Sequence, residues 1–413
     1  MKMKVKVYLM IALFAGACVN VFSQEKLKKE GEIALVAYGS VPEGTTERLR
    51  ELKEAGIDMC WAWGSLDETL KVMDNAHKEG VKIMLSCPEL ETETERVVKR
   101  VMNHPALAGY VLSDEPGASM FAKLGEWVKR IQAFDKKHFC YINLLPNYAT
   151  FHQLGVDDAE LYGVPSYREY LEAFVKEVPV TFISFDHYPV IVEEGKSRLR
   201  EKWYANLEDV MAVSKKTGLP IWAYVLSVAH RIYPVPTVGE LRLQIYSNLA
   251  YGAQALQYFA YNGGGYEDYH HSPIDHGKRT VVYDRLKLVN NEVKNLSGVF
   301  YGSTVVKVWH SGEYTPSPWL TARFQEENNP AIPPVKLLQT SDGGAVISLL
   351  EKGNNRFLVV VNRDHQHPMQ MTIITDDSVK KVQKDGTIVP ANLYASTTEV
   401  DPGDAVIYMW ENK

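Results

Sequence analysis

Leu107-Ala108-Gly109-Tyr110-Val111-Leu112-Ser113-Asp114-Glu115-Pro116-Gly117 is a short apolar run that stops abruptly on two acids. Leu107–Leu112 has the length of a buried strand, and the amphipathic stretch Phe121–Lys136 after it has the period of a helix. The same unit recurs along the chain. Apolar runs at Ile33–Tyr38, Ile57–Trp63, Val81–Cys87, Phe139–Leu144, Val180–Phe185, Leu219–Val225 and Ala253–Tyr261 alternate with helical patterns. Those include Thr45–Ala55, Leu66–Lys78, Glu93–Met102, Tyr167–Lys176, Arg200–Lys216 and Thr237–Tyr251, and Gly56, Gly80 and Gly218 stand where left-handed helix caps belong. Strands alternating with helices pair in parallel. Eight units in about 270 residues predict a (β/α)8 TIM barrel over residues 24–300. A doubly wound sheet is the alternative, disfavoured by the even spacing and by the lack of a Gly-rich phosphate loop.

From Val305 the character changes. Val335–Leu338, Ala345–Leu350, Phe357–Val361, Gln370–Ile374 and Ala405–Trp410 are strand-length runs separated by turn signals such as Asp342-Gly343-Gly344 and Lys352-Gly353-Asn354-Asn355. Residues 301–413 are therefore expected to form a small all-β, sandwich-like domain.

The first 23 residues read as a signal peptide. Lys2, Lys4 and Lys6 precede an apolar run, Val7–Ala17, that is too short to span a bilayer. Cleavage after Val21-Phe22-Ser23 predicts a periplasmic or secreted protein, and Ala15-Gly16-Ala17-Cys18 is an alternative, loose lipidation signal. No later segment reaches the ~20 apolar residues of a transmembrane helix. Loss of the leader leaves 42 basic against 51 acidic residues, a net charge of −9. Without a basic cluster, nucleic acid is not an expected partner. Cys60, Cys87 and Cys140 lie in apolar runs and read as buried thiols rather than a disulfide framework. No spacing resembles a zinc site and no cofactor motif is present, so neither metal nor cofactor is expected. Nothing in the sequence specifies an oligomeric state.

Barrel chemistry sits at the C-terminal ends of the strands. Those ends supply Tyr38, Trp61, Trp63, Ser86, Asp114, Glu115, Asn143, Asn147, Asp186, His187, Tyr188, Tyr224, Ser227, His230, Tyr258, Tyr261 and Asn262. A rim of aromatics, amides and carboxylates with little positive charge suits a neutral, hydroxyl-rich ligand, a carbohydrate. Asp114–Glu115 is the sharpest signal, because adjacent acids in a cleft force at least one pKa upward. A carboxyl protonated near neutral pH can protonate a leaving glycosidic oxygen. Asp186-His187-Tyr188-Pro189 offers an acid beside hydroxyl-binding side chains. Tyr266-Glu267-Asp268-Tyr269-His270-His271 follows strand eight as either a substrate-facing or a solvated loop.

These residues resemble a known group. Tyr110-Val111-Leu112-Ser113-Asp114-Glu115-Pro116 is similar to the Asn-Glu-Pro motif on strand four of the retaining glycoside hydrolase clan that includes the family 42 β-galactosidases. Asp114 stands where that clan has Asn. Phe182–Pro189 resembles the strand-six segment of family 42, and Pro220–Val225, Pro234–Leu243 and Leu249–Ala255 with Tyr258-Phe259 resemble its strand-seven to strand-eight stretch. The resemblance covers the barrel and implies a glycosidase with Glu115 as acid/base. It also implies a nucleophilic Glu at the end of strand seven, where this chain has Val225, and no acid lies between Leu219 and Pro236. Three readings remain open: an inverting enzyme with Asp186 or Glu267 as base; a substrate-assisted enzyme resembling hexosaminidases, such as family 123, in which Asp114 orients a 2-acetamido group; or a barrel that binds glycan without cleaving it.

Overall fold

The computed structural model describes residues 25–39, 44–155, 166–264, 267–312, 332–341 and 343–412. The expected leader, the Cys18 lipidation signal, Tyr266 and Asp342 lie outside them. Eight parallel strands close into a barrel: β1 (Ala34–Ala37), β2 (Met59–Trp63), β3 (Lys82–Ser86), β4 (Leu107–Asp114), β5 (Phe139–Leu144), β6 (Ile183–Phe185), β7 (Ile221–Leu226) and β8 (Ala253–Phe259). Closure is made by β1 on β8, with Ala34 opposite Ala255. The helices that return the chain are α1 (Thr46–Glu54), α2 (Leu66–Glu79), α3 (Thr94–Val101), α4 (Phe121–Gln132), α5 (Tyr167–Glu177), α6 (Trp203–Thr217), α7 (Val238–Ala250) and α8 (Val281–Asn295). Capping follows the sequence: Ser65 with Glu68 and Thr237 with Glu240 form capping boxes, and Gly80 and Gly218 end α2 and α6 in the left-handed conformation. Among the described residues no helix is long and apolar enough to cross a membrane.

Two hairpins depart from the expected strand–helix alternation, and the shorter, Ile274–Asp275 with Lys278–Arg279, precedes α8. The longer, Val190–Glu193 with Lys196–Leu199, is inserted between β6 and α6. Its turn, Glu194-Gly195, has positive φ at both residues (51° and 74°), the geometry that suits the twist of a two-residue hairpin. The expected start of the following helix at Arg200 therefore moves to Trp203.

After α8 the described residues form nine antiparallel strands. One sheet runs in the order β9 (Thr304–His310), β11 (Ala345–Lys352), β12 (Asn355–Asn362), β17 (Ala405–Glu411), β14 (Lys380–Val382), β15 (Ile388–Pro390), and the other in the order β10 (Val335–Thr340), β13 (Met369–Thr375), β16 (Thr397–Val400). The two sheets face each other across Ile347, Leu349, Leu358, Val360, Met371 and Ile373. The opposite face of the larger sheet carries Val346, Leu350, Phe357, Val359 and Val361, which join the main core of the barrel. This explains the unbroken apolar runs at 345–350 and 357–361: a sheet buried on both faces has no reason to alternate. Helix α7, caught between barrel and sheet, is likewise buried nearly all round. Residues 25–27, assigned to the barrel from sequence, pair with the β-domain instead, through Leu27 N–H to Gly386 O (2.9 Å) and Ile388 N–H to Glu25 O (2.8 Å).

Phe357→Ala opens a cavity where barrel and sheet meet. The expected loss is about 3–5 kcal/mol, read as a lower denaturation midpoint. A loss well under 1 kcal/mol would mean that the shared core is not continuous.

Candidate active site

The active face is assembled by three neighbouring strands. β5 lies between β4 and β6, and Asn143 on β5 is the register partner of both Asp114 and Ser184. β4 carries a register irregularity between Val111 and Ser113, which turns its last residues toward the mouth. Glu115 then takes a left-handed conformation (φ 49°), which disfavours any residue with a Cβ. Its N–H donates to Asn143 O (2.9 Å), and the Tyr170 hydroxyl donates to Pro116 O (2.6 Å). The surroundings thus hold the acid in an unfavourable backbone state.

Three carboxyl groups converge there. Asn143 Nδ2 donates to Asp186 Oδ1 at 2.9 Å and to Asp114 Oδ1 at 3.2 Å. Its Oδ1 accepts from Ser184 Oγ (2.9 Å), which in turn accepts from Gln257 Nε2 (2.9 Å). The amide is therefore locked in one orientation, with its donor end toward the acids. Asp186 is buried. Burial, reinforced by the charges of Glu115 and Asp114, pushes its carboxyl far above the ordinary range. Glu115 is raised by burial and then by Asp114, and a hydrogen bond with Asp186 opposes the shift. Asp114 is raised by burial against the pull of Asn143. Asp114 and Glu115 keep solvent exposure at the mouth, so the walls of a narrow site desolvate them less than Asp186. A hydrogen bond between Asp186 and Glu115 relieves part of the repulsion.

Around the acids lies a cleft of about 400 Å³. Of the residues expected from sequence, Tyr38, Asp114, Glu115, Asn143, Asp186, Tyr188, Tyr224 and His230 line it. Tyr38 contacts Phe259 (5.0 Å between centroids) and Tyr224 (6.1 Å). The Tyr224 hydroxyl lies 3.0 Å from that of Tyr141, which is 3.0 Å from Ser184 Oγ. Trp61 sits beneath Tyr38 as a buried plug, and Trp63 stands at the rim in edge contact with Tyr38 (5.4 Å).

Five expected residues fall elsewhere. Tyr258 and Tyr261 belong to the core behind the barrel wall, Tyr258 bonding Asn290 on α8. Strand parity is the reason: Gln257 and Phe259 point inward, so Tyr258 points out. Phe259 lines the cleft in its place. His187 is buried beside Asp186 on the far side of the strand, with its ring 4.8 Å from Tyr148, and burial holds it neutral. Glu267 is exposed on its loop outside the cleft. Asn147 holds its loop to α6 through Asn206 Oδ1 (2.8 Å) and Lys202 O (2.9 Å). The same parity corrects the position aligned with a nucleophile. Val225 faces the helices, and the inward residues of β7 are Trp222, Tyr224 and Leu226, none of them acidic. The rim is also less devoid of cations than its composition suggests, since Arg231 lines the cleft and pairs with Asp268 (3.5 Å). Tyr148 and Tyr233 line it too and were missed, because each lies several residues beyond a strand end. Among the described residues no group of three His, Cys, Asp or Glu is set to hold a metal ion.

The family model for glycoside hydrolase family 42, described as β-galactosidase, matches residues 164–296, which run from α5 to the end of α8. Over that stretch the chain resembles family 42. A family 42 β-galactosidase from G. stearothermophilus is 9% identical over 94% of this chain and 100% of its own, with a TM-score of 0.55. A β-galactosidase from the haloarchaeon Halorubrum lacusprofundi is 10% identical over 92% and 99%, with a TM-score of 0.50. For a β-galactosidase from Marinomonas ef1 the identity is 12% and the TM-score 0.43, and the chain spans 60% of that enzyme while 64% of its own length is matched. At these identities the likeness is one of fold. No curated protein matches the chain.

A carboxyl whose pKa is raised in the fold above its unfolded value weakens stability as pH rises from the unfolded range through the raised value. Asp186 is in that position. Asp186→Asn is therefore expected to gain roughly 1–2 kcal/mol at neutral pH, a gain that vanishes near pH ~4. Thermal melting of both proteins across pH measures it. A variant less stable than the parent at neutral pH would show that the acid's hydrogen bonds outweigh its burial.

Proposed function

We propose that this glycosidase uses Glu115 as its proton donor and acts on a 2-acetamido sugar whose own amide oxygen is the nucleophile. The observation that carries this reading is the confinement of the cleft's acids. Among the described residues they are Asp114, Glu115 and Asp186, all on β4 or just after β4 and β6. Glu115 and Asp186 touch through a hydrogen bond, whereas retaining enzymes need carboxyl groups about 5–5.5 Å apart and inverting enzymes about 6.5–9.5 Å. No carboxylate faces them from β7, where Tyr224 points inward.

In the proposed step the acetamido oxygen attacks C1 as the bond from C1 to the leaving oxygen breaks. Glu115 gives its proton to that oxygen, and Asp114 accepts the acetamido N–H as positive charge develops on the amide. Water then opens the cyclic oxazolinium, with Glu115 taking the proton back. Asp186 keeps its own proton and donates to the Glu115 carboxylate, which lowers the cost of leaving Glu115 charged. Export to the periplasm or beyond, argued from the leader-like first 23 residues, would place the enzyme where glycans are its substrates.

A second reading, an inverting enzyme with Asp186 as base, takes a β-galactoside as substrate from the family match and requires that substrate to part Asp186 from Glu115. Hydrolysis of 4-nitrophenyl β-galactoside, β-glucoside and both N-acetyl-β-hexosaminides separates the two. Turnover confined to the N-acetylhexosaminides is expected, with kcat reduced about 10²–10⁴-fold in Glu115→Gln and clearly reduced in Asp114→Asn. Equal or better turnover of the galactoside sinks the substrate-assisted mechanism, and no turnover of any of the four favours a glycan-binding barrel.

A further inference from the structure

The hairpin inserted after β6 ends on a cation placed behind the cleft. Arg200 N–H donates to Pro189 O (2.8 Å), closing the hairpin onto the end of the Asp186-His187-Tyr188-Pro189 segment. Val192 N–H donates to Ile232 O (2.8 Å) in the loop after β7, and Ser197 Oγ lies 2.7 Å from His365 Nε2 in the β-domain. Three fixed points therefore set where Arg200 stands. Its guanidinium carbon lies 4.4 Å from the ring centroid of Tyr148 and 5.7 Å from that of Tyr233, and its Nη2 donates to the Tyr233 hydroxyl at 3.1 Å. Tyr148 packs edge-on against His187 (4.8 Å) and Tyr233 against Tyr188 (5.8 Å).

Both tyrosines are half-buried and line the same cleft as Glu115 and Asp186. They come from loops after β5 and β7, two segments with no backbone ladder between them. A planar cation that stacks on one ring and bonds the other is what ties these loops into one wall. Arg suits this task and Lys does not, because only the guanidinium is flat and carries several fixed donors.

We infer that Arg200 is a positioning residue that holds Tyr148 and Tyr233 as one aromatic wall, and that this wall binds the sugar through its ring faces and hydroxyls. The inference deepens the glycosidase reading and rests on it for the identity of the ligand. It assigns substrate binding to two tyrosines and leaves the proton chemistry to the acids.

The test compares Arg200→Met, Arg200→Lys and Tyr148→Ala with the parent. Loss of the clamp is expected to raise KM about tenfold with kcat changed less than about threefold, and to leave the pH profile in place. Arg200→Lys should fall between, and Arg200→Met should add little to Tyr148→Ala in the double variant. A fall in kcat with unchanged KM, or a shifted pH profile, overturns the assignment by showing that Arg200 acts on the acids. Saturation-transfer NMR with methyl β-galactoside and methyl N-acetyl-β-glucosaminide reads binding without turnover. If no aryl glycoside is cleaved, the glycosidase mechanism fails, while weaker methyl glycoside binding in Arg200→Met still supports the wall. Equal binding by parent and variant, or no binding by either, overturns it. A crystal structure of Arg200→Met showing Tyr148 and Tyr233 unmoved overturns it as well.

Discussion

The mouth of this barrel is organised by one hydrogen-bonding unit, the side-chain amide of Asn143 between two acids. Three carboxyl groups so close together repel strongly, and the repulsion is met in two ways. The amide donates to Asp114 and Asp186, and a hydrogen bond joins Asp186 to Glu115. Both devices need β4, β5 and β6 to be adjacent and in register. The barrel's closure and the raised pKa values are therefore two sides of one arrangement. If the amide were turned by half a rotation, its oxygen would face the acids and the site would be untenable. Ser184 and Gln257, reaching Asn143 from inside the barrel, prevent that turn.

The β-domain does more than follow the barrel. Its larger sheet is apolar on both faces and completes the core around α7. Through Ser197 and His365 it also touches the hairpin after β6. The same hairpin ends on Arg200, behind the cleft. A continuous path of contacts thus runs from the β-domain to the cleft wall, and mechanical support for the site comes from outside the barrel as well as from within it.

The fold was legible because its signal is repeated. Each apolar run followed by an amphipathic helix is weak evidence, yet eight in succession leave few alternatives. The hairpin at 190–199 broke the pattern, and its Glu194-Gly195 turn was the available clue. Within the site the strand-end rule found Asp114, Glu115, Asp186, Asn143, Tyr38, Tyr188, Tyr224 and His230. It failed for Tyr258 and Tyr261, and it misaligned Val225, for a single reason. Side chains alternate across a strand, so a shift of one residue exchanges mouth for core. Parity depends on where each strand begins and where its register slips, and neither is written in an apolar run.

By itself the sequence determined the kind of molecule: a barrel with a small β-domain, an acid pair at the end of strand four, and no acid on strand seven. Those features follow from local pattern and residue type. Only the tertiary structure decided that Asp186 meets Glu115, that Asn143 lies between Asp186 and Asp114, and that Tyr148, Tyr233 and Arg200 form one wall. Each of these joins groups from different strands or loops, and their distances are fixed by register, closure and packing over the whole barrel. A carboxyl becomes an acid at neutral pH through what surrounds it, and Asp186 is surrounded by Asn143 and Glu115, which come from other strands of the barrel.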